Sequence, residues 1–321
     1  MSKIVVITDS KDEHADSVIE HIPKKLLNRV NLDYFESTFL ANFEFTKDIK
    51  VKINSSKINS FFLRRLFVDK MDIIRSKNLD TGFKNYISQQ RNESFKNFLY
   101  LMEKNVPGYN TLSSIEFTRS KILQIRIAKK LQFNIPKTFV GNNYEELKKF
   151  IKNYKLEKKL LIKPLIGIGW FKDKKFYKIN PQIFDIKNIK KKNFQLFPVT
   201  IQEYIEKKFE YRITVVNKKF FICKIDSQQT GNFLDSLDYR NADISEVPHE
   251  ESDLPGLFKK KILKLMSHLK LNIAAIDVVL GKDNKLYFLE INPMFEWLWI
   301  EKLTGMKISK SIADALLKKD V

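Results

Sequence analysis

The sequence predicts an α/β (α+β) chain of more than one packed unit, and three observations carry that prediction. An apolar strand pattern opens the chain at residues 3–8 (KIVVIT), and Ala15, Val18, Ile19 and Ile22 then recur at helical spacing. Helix and strand patterns alternate again through residues 118–163. The last third is mostly strand, ending in two apolar runs joined by Gly281-Lys282-Asp283-Asn284, the pattern of a hairpin. With 321 residues there is chain enough for two or three units, which the patterns divide as 1–105, 106–197 and 198–321.

In the first block, residues 60–67 (SFFLRRLF) add a second strand. Arg64 and Arg65 interrupt it, either as solvent residues of an edge strand, the commoner case, or as anion-facing groups at a cleft. No G-x-G-x-x-G follows the first strand, which argues against a dinucleotide site there. In the second block, Ile122, Ile125, Ile127 and Leu131 predict the buried stripe of a helix that Asn134-Ile135-Pro136 stops. Asn143 is placed to cap the next helix, with Glu146 three residues on at capping-box spacing. Lys163 then lies inside an apolar strand, ahead of Gly167 and Gly169. Its ordinary fate is to snorkel; beside a glycine turn, the ammonium is alternatively placed to meet phosphate oxygens.

Residues 199–225 of the third block read as strand, connection, strand, turn at Asn217-Lys218, strand. Residues 227–255 are polar and predict a long loop, functional or mobile, before a helix at 258–271. In the hairpin that follows, pairing Leu280 with Lys285 sets Asp277 opposite Phe288. Phe288, Glu290 and Asn292 share a face by the strand period of two, so Asp277, Glu290 and Asn292 converge; a loop of odd length would break the cluster. A carboxylate in an apolar strand needs a cation, a hydrogen-bond network or an open cleft. Two carboxylates and an amide oxygen suit Mg²⁺. The alternative is a carboxylate paired with a lysine or arginine. The metal is favoured because Lys121 and Lys163 offer cations for phosphates elsewhere in the chain. The four histidines show no zinc-ligand spacing, and there is neither a P-loop lysine motif nor a G-x-S-x-G elbow.

Composition excludes several classes. The opening apolar run of four residues is too short for a signal peptide, no apolar run approaches the roughly 20 residues of a membrane span, and Cys223 stands alone. A cytoplasmic protein without a membrane partner is expected. The net charge of +20 is mostly lysine, in runs such as 187–192 and 259–261. Solvated lysine faces, or attraction to an acidic peptide or nucleotide, are favoured over a nucleic-acid surface.

These residues resemble the ATP-grasp carboxylate–amine/thiol ligases, and within them the branch that builds microviridin-type graspetides. The resemblance runs through VVITDSKDEHADSVIEHI, FFLRRLF, Lys121 ahead of IPKT, LLIKPL, IQEYIEKKFEYRITVV, DYR at 238–240, and IDVVLGKDNKLYFLEINPMFEWLWIEKLTG at 276–305. It implies an ATP-grasp fold behind an N-terminal β/α pre-ATP-grasp domain, with ATP and Mg²⁺ as cofactors. It also implies that the central block carries the lid and a leader-peptide contact. Lys121 and Lys163 would contact ATP phosphates, Gln202, Glu203, Tyr204 and Ile205 would hold adenine, and Glu210 would take the ribose hydroxyls. Arg212 and Arg240 would be catalytic, stabilising phosphoryl and acylphosphate charge, while Asp277, Glu290 and Asn292 would bind Mg²⁺.

The implied reaction activates a peptide side-chain carboxylate as an acylphosphate and joins it to a Ser or Thr hydroxyl or a Lys amine of the same ribosomal precursor. The implied partner is a precursor peptide with a leader segment and an acidic core, and a homodimer is compatible with it. Two rivals are a ligase adding amino acids to a protein tail or a small metabolite, and a non-catalytic nucleotide-dependent binder of nucleic acid. Where the branch usually has Gly then Gln, this chain has Phe295 then Glu296. The aromatic run after Pro293 and the lysine strip at 172–192 are expected to hold an amphipathic or acidic peptide.

Overall fold

Strands form where apolar residues run continuously or alternate, and end where Pro, Gly or Asn interrupts. A computed structural model describes residues 3–34, 38–45, 49–66, 79–156, 160–163, 170–172, 175–177, 182–185, 189–230 and 247–318. The N-terminal block contains β1 (Lys3–Thr8), α1 (Glu13–Ile19), β2 (Leu27–Asn31), β3 (Ala41–Phe45), β4 (Ile49–Ile53), β5 (Ser56–Leu63), α2 (Thr81–Asn105) and β6 (Gly108–Tyr109). Its sheet runs β2-β1-β5-β4-β3, with β6 also on β5. β1 is parallel to β2 and β5, so it is buried on both faces, as its unbroken apolar run requires. Val5 and Ile7 pack with Phe95, Phe98 and Met102 of α2, while Ile4 and Val6 face the core that holds Ala15 and Val18 of α1. Helix α1 is shorter than its apolar spacing predicts: Ile22 is buried beyond its end, before Pro23.

The middle block adds α3 (Leu112–Thr118), α4 (Lys121–Lys130), β7 (Thr138–Gly141), α5 (Tyr144–Tyr154), β8 (Leu160–Lys163), β9 (Trp170–Lys172), β10 (Lys175–Tyr177), β11 (Gln182–Phe184), α6 (Lys191–Phe194) and β12 (Val199–Glu203). Strands β11-β8-β12-β7 form an antiparallel sheet on which α5 packs Leu147 and Ile151. Asn143 caps α5, accepting from the Glu145 and Glu146 amides, and the Glu146 carboxylate turns to Lys149 at 2.8 Å. The stripe expected on α4 is rotated: Ile122 is 50% exposed and the buried residues are Gln124 and Ala128, with Ile127 and Leu131 packed alongside. The cause is hydrogen bonding. The Gln124 amide nitrogen donates to the Thr118 and Ile291 carbonyls, and its oxygen accepts from the Ile291 amide. A glutamine thus satisfies backbone groups on an outer strand of the last sheet.

That sheet contains β13 (Lys207–Val216), β14 (Lys219–Ile225), β15 (His249–Glu251), β16 (Ile273–Gly281) and β17 (Leu286–Asn292), in the order β15-β14-β13-β16-β17. The expected turn at Asn217 is left-handed, with φ of 54°. One face packs against α7 (Gly256–His268) through Ile262, Leu265 and Met266; the other meets α9 (Ile308–Lys318) and the N-terminal core. α8 (Leu298–Thr304) links β17 to α9. The polar stretch expected to be all loop begins with a 3₁₀ turn at Ser227–Thr230 and supplies β15, which takes up the free edge of β14.

Candidate active site

The hairpin reaches the expected cluster by a different register. Leu280 pairs with Leu286, so five residues separate the partners, the odd count that would break the cluster in a regular ladder. A β-bulge at Leu289 takes up the extra residue: Val278 pairs with Phe288, and Asp277 with Glu290. Phe288 therefore leaves the carboxylate face and packs in the core with Ile276, Val278 and Ile291, correcting the expected Asp277–Phe288 opposition. Gly281 opens the turn where an added Cβ would lie 2.5 Å from the Asp283 carboxylate.

Each carboxylate also holds a cation. Arg212, the cross-strand partner of Asp277 on β13, donates from Nη1 to Asp277 Oδ1 at 2.7 Å. Lys121, the first residue of α4, lies 3.2 Å from Glu290 Oε2. Asn292 donates to Glu290 Oε1 at 3.1 Å, which fixes its amide oxygen beside the pair. The Asp277 and Glu290 side chains are 17% and 19% exposed, so the cluster is partly open to solvent. The oxygen donors thus converge as expected, and in this structure they are paired with cations, the arrangement of the alternative reading. Among the described residues no group of three or more His, Cys, Asp and Glu could hold a metal ion. Two carboxylates and an amide oxygen are nevertheless the few hard protein donors that Mg²⁺ takes when water and phosphate complete its shell, and the set fits that ion.

Glu210 lies two residues before Arg212 on β13 and so on the same face. Its Oε1 accepts from the buried Lys207 ammonium and the Ser227 hydroxyl, both at 2.7 Å. Sequence reasoning missed both partners; a bulge between Lys207 and Phe209 brings Lys207 to this face across an odd spacing. In the middle sheet, Lys163 donates to Gln202 Oε1 at 2.7 Å, and Gln202 donates to the Thr138 hydroxyl at 3.0 Å. The Glu203 carboxylate accepts from the Lys137 amide at 3.0 Å, and its own amide donates to the Lys137 carbonyl. Tyr204 and Ile205 lie in the connection to β13, which the Lys282 amide ties to the hairpin turn through the Glu206 carbonyl. One cluster therefore contains Lys121, Arg212, Asp277, Glu290 and Asn292, Glu210 adjoins it on β13, and Lys163 and Gln202 form a second pair. Arg240 and the rest of its DYR motif lie outside the described residues.

Two expectations fail. Arg64 follows the C-terminal end of the interior strand β5, neither on an edge nor open to a cleft. Its guanidinium is buried against Asp12, with Nε 2.8 Å from Oδ2. The aromatic run offers no open face: Trp297 is fully buried and Phe295 nearly so, because Trp297 packs edge-on to His14 and under Arg64 and donates from Nε1 to Ser309. Only Trp299 stays half-exposed. Most side chains of the lysine strip lie outside the described residues; at its end Lys190, Lys191 and Lys192 are exposed.

A family model described as the RimK-like ATP-grasp domain matches residues 118–316. No curated protein sequence matches the chain. Among solved structures, the chain is similar to a Chryseobacterium gregarium RiPP-associated ATP-grasp ligase in complex with ADP and a leader and core peptide. That match has 27% identity and a TM-score of 0.87, covering 99% of this chain and 97% of the other. The macrocyclase MdnC from Microcystis aeruginosa, bound with precursor peptide MdnA, shares the fold at 24% identity and a TM-score of 0.82, covering 98% and 99%. So does the macrocyclase MdnB of the same organism, at 22% identity and a TM-score of 0.70, covering 98% and 99%. No helix among the described residues is long and apolar enough to cross a membrane.

Proposed function

Since the chain belongs to the RimK-like ATP-grasp family, we propose that it is an ATP-dependent ligase that closes rings in a ribosomal precursor peptide, joining a side-chain carboxylate to a hydroxyl or amine of the same chain. The observation that carries the reading is the pair of carboxylates abreast, Asp277 and Glu290, each already holding a cation. Such a site has oxygen donors for a metal and positive groups for phosphate within a few ångströms. Its likeness over nearly its whole length to a ligase bound to ADP with leader and core peptides supports a peptide substrate.

The chemistry asks for positioning and charge. A carboxylate oxygen of the peptide attacks the γ-phosphorus of ATP and ADP leaves; a hydroxyl or amine then attacks the acylphosphate carbon, loses its proton and releases inorganic phosphate. Asp277, Glu290 and Asn292 would hold Mg²⁺, which when bound neutralises phosphate charge. Lys121 and Arg212 spend their charge on these carboxylates in the structure described, and phosphate oxygens compete for the same donors. Arg212 would face the transferring phosphoryl group, and Arg240, by the resemblance, would also stabilise its charge. Lys163 would meet ATP phosphates, residues 202–205 would hold the adenine, and Glu210, set by Lys207 and Ser227, would take the ribose hydroxyls. No enzyme nucleophile is needed, and burial pushes the Cys223 thiol up to about 12, so it is not a reactive thiolate. An excess of positive charge favours an acidic core peptide. Residues 1–105 would form the pre-ATP-grasp domain, 106–197 the lid and leader-contact unit, and 198–321 the adenine and metal unit.

Incubation with ATP, Mg²⁺ and a short acidic precursor encoded beside the gene should yield a mass loss of one water per ring, with ADP and phosphate released. A mass gain equal to an amino acid would select a tail-adding ligase instead. RNA binding without ATP turnover on any carboxylate would remove the ligase reading.

A further inference from the structure

The segment after the hairpin, residues 293–297, makes no strand or helix of its own, yet polar side chains of the N-terminal region hold its backbone. Asn110 donates to the Pro293 carbonyl at 2.8 Å, Arg64 Nη1 to the Phe295 carbonyl at 2.8 Å, and the Trp297 amide donates to His14 Nδ1 at 3.3 Å. Arg64 is the most constrained of these groups. Its Nε and Nη2 both engage Asp12, whose Oδ2 also accepts from the Thr8 hydroxyl, and its guanidinium carbon lies 4.6 Å from the centre of the Trp297 ring. Three of its five N–H donors are engaged, two toward Asp12 and one toward the Phe295 carbonyl, and one face lies on an indole.

What Arg64 holds in turn faces the site. The Phe295 ring is buried 6.0 Å from the Arg212 guanidinium carbon, and Arg212 donates to Asp277. A short chain of contacts therefore runs from Asp12 through Arg64, the Phe295 backbone and the Phe295 ring to Arg212. The ring forms one wall against which Arg212 rests while the Asp277 carboxylate holds its Nη1. The ring's placement is fixed by the backbone atom that Arg64 grips.

We propose that Arg64 is a positioning residue for the phosphoryl-transfer site: by holding the Phe295 carbonyl it sets the ring that seats Arg212. The N-terminal block thereby fixes a charge of the ATP-grasp domain without touching nucleotide. The inference rests on the ligase reading and its assignment of Arg212 to the transferring phosphoryl group.

The test compares Mg²⁺-ADP with Mg²⁺-AMPPNP in equilibrium titrations of the full chain, since the ratio of their affinities isolates what the third phosphate gains. Arg64→Lys keeps a positive charge beside Asp12 but cannot serve both Asp12 and the Phe295 carbonyl. It should lower the AMPPNP preference about tenfold, the scale of one charge-assisted hydrogen bond, while ADP affinity holds. Phe295→Leu leaves the Asp12–Arg64 pair intact and should lower the same ratio, and the double variant should add little to either single change. A residue of merely structural importance would lower both affinities together, in step with the folded fraction. If Arg64→Lys fails to fold, Phe295→Leu decides. An unchanged ratio in a folded variant, or no AMPPNP preference in the wild type, overturns the positioning role. A wild type that binds neither nucleotide overturns the ligase reading, and this inference with it.

Discussion

Replacing Arg64 by methionine keeps much of the stem, removes the guanidinium and leaves Asp12 stranded. In the folded chain the Asp12 side chain is wholly buried and that of Arg64 is 6% exposed. Burial acts to raise the Asp12 carboxyl, but the Arg64 hydrogen bond and charge, aided by Thr8 and Arg65, outweigh it and hold the group below the ordinary carboxylate range. A depressed carboxylate stabilises the fold above its unfolded pKa, and that contribution is lost as pH falls through the folded value. In Arg64→Met the burial stays and the main compensation goes, so Asp12 titrates above its ordinary value and the variant regains stability on acidification through it. Breaking a buried pair costs about 3–5 kcal/mol, and Arg65, 3.5 Å from Asp12 but itself partly exposed, argues for the lower end, about 3 kcal/mol. Trp297 lies against Arg64, so urea unfolding followed by tryptophan emission reads the region directly. The deficit of Arg64→Met should be full at pH 7 and smaller at pH 5, and adding Asp12→Asn should recover part of it at pH 7. A loss below about 1 kcal/mol at pH 7, the scale of an exposed pair, or the same loss at both pH values, would refute the reasoning.

The other predictions concern the site and its surroundings. Glu290→Gln removes charge but little volume and breaks only a partly exposed pair with Lys121, so folding stability should fall by no more than about 1 kcal/mol. Nucleotide affinity should meanwhile lose most of its Mg²⁺ dependence, and titrations with and without Mg²⁺ that match the wild type would remove the metal assignment. Lys163→Met should weaken ATP binding about 10- to 100-fold, the worth of a hydrogen bond to a charged group; unchanged affinity by calorimetry would return Lys163 to a structural role. His14 is held down to about 4 by burial, then by the Arg64 charge, against a smaller opposing pull from Asp12. The unfolded histidine takes up its proton first, so the wild type should lose stability as pH falls from about 6.5 toward 4. His14→Asn, whose amide oxygen can accept from the Trp297 amide, should flatten that part of the thermal-unfolding profile; an unaltered slope would count against it.

Several features were legible because one periodicity dominated: the opening strand, the β13–β14 turn at Asn217, the Asn143 cap and the closing hairpin. The convergence of Asp277, Glu290 and Asn292 was legible too, although the route to it was not. A bulge leaves no mark in residue type, and Leu289 looks like any strand leucine. The rotation of α4 escaped because Gln124 is polar, and only the neighbouring strand shows that its amide replaces a missing ladder partner. Arg64 and the aromatic run were misjudged together for one reason: the guanidinium, the indole and the Asp12 carboxylate bury one another, and partners 52 and 233 positions from Arg64 are invisible to local pattern. The Lys207–Glu210–Ser227 set likewise depends on a bulge and on the start of a 3₁₀ turn.

The bulge also gives the hairpin a spare residue. Because Leu289 has no partner of its own, removing it would leave Val278 against Phe288 and Asp277 against Glu290, in an unbroken ladder. An added residue on that stretch has no such place to go. It would need a second bulge, or it would turn Glu290 toward the packed side occupied by Ile276 and Ile291. The strand should therefore tolerate shortening but not lengthening, and variation in length among related chains should fall on the short side of the spacing found here.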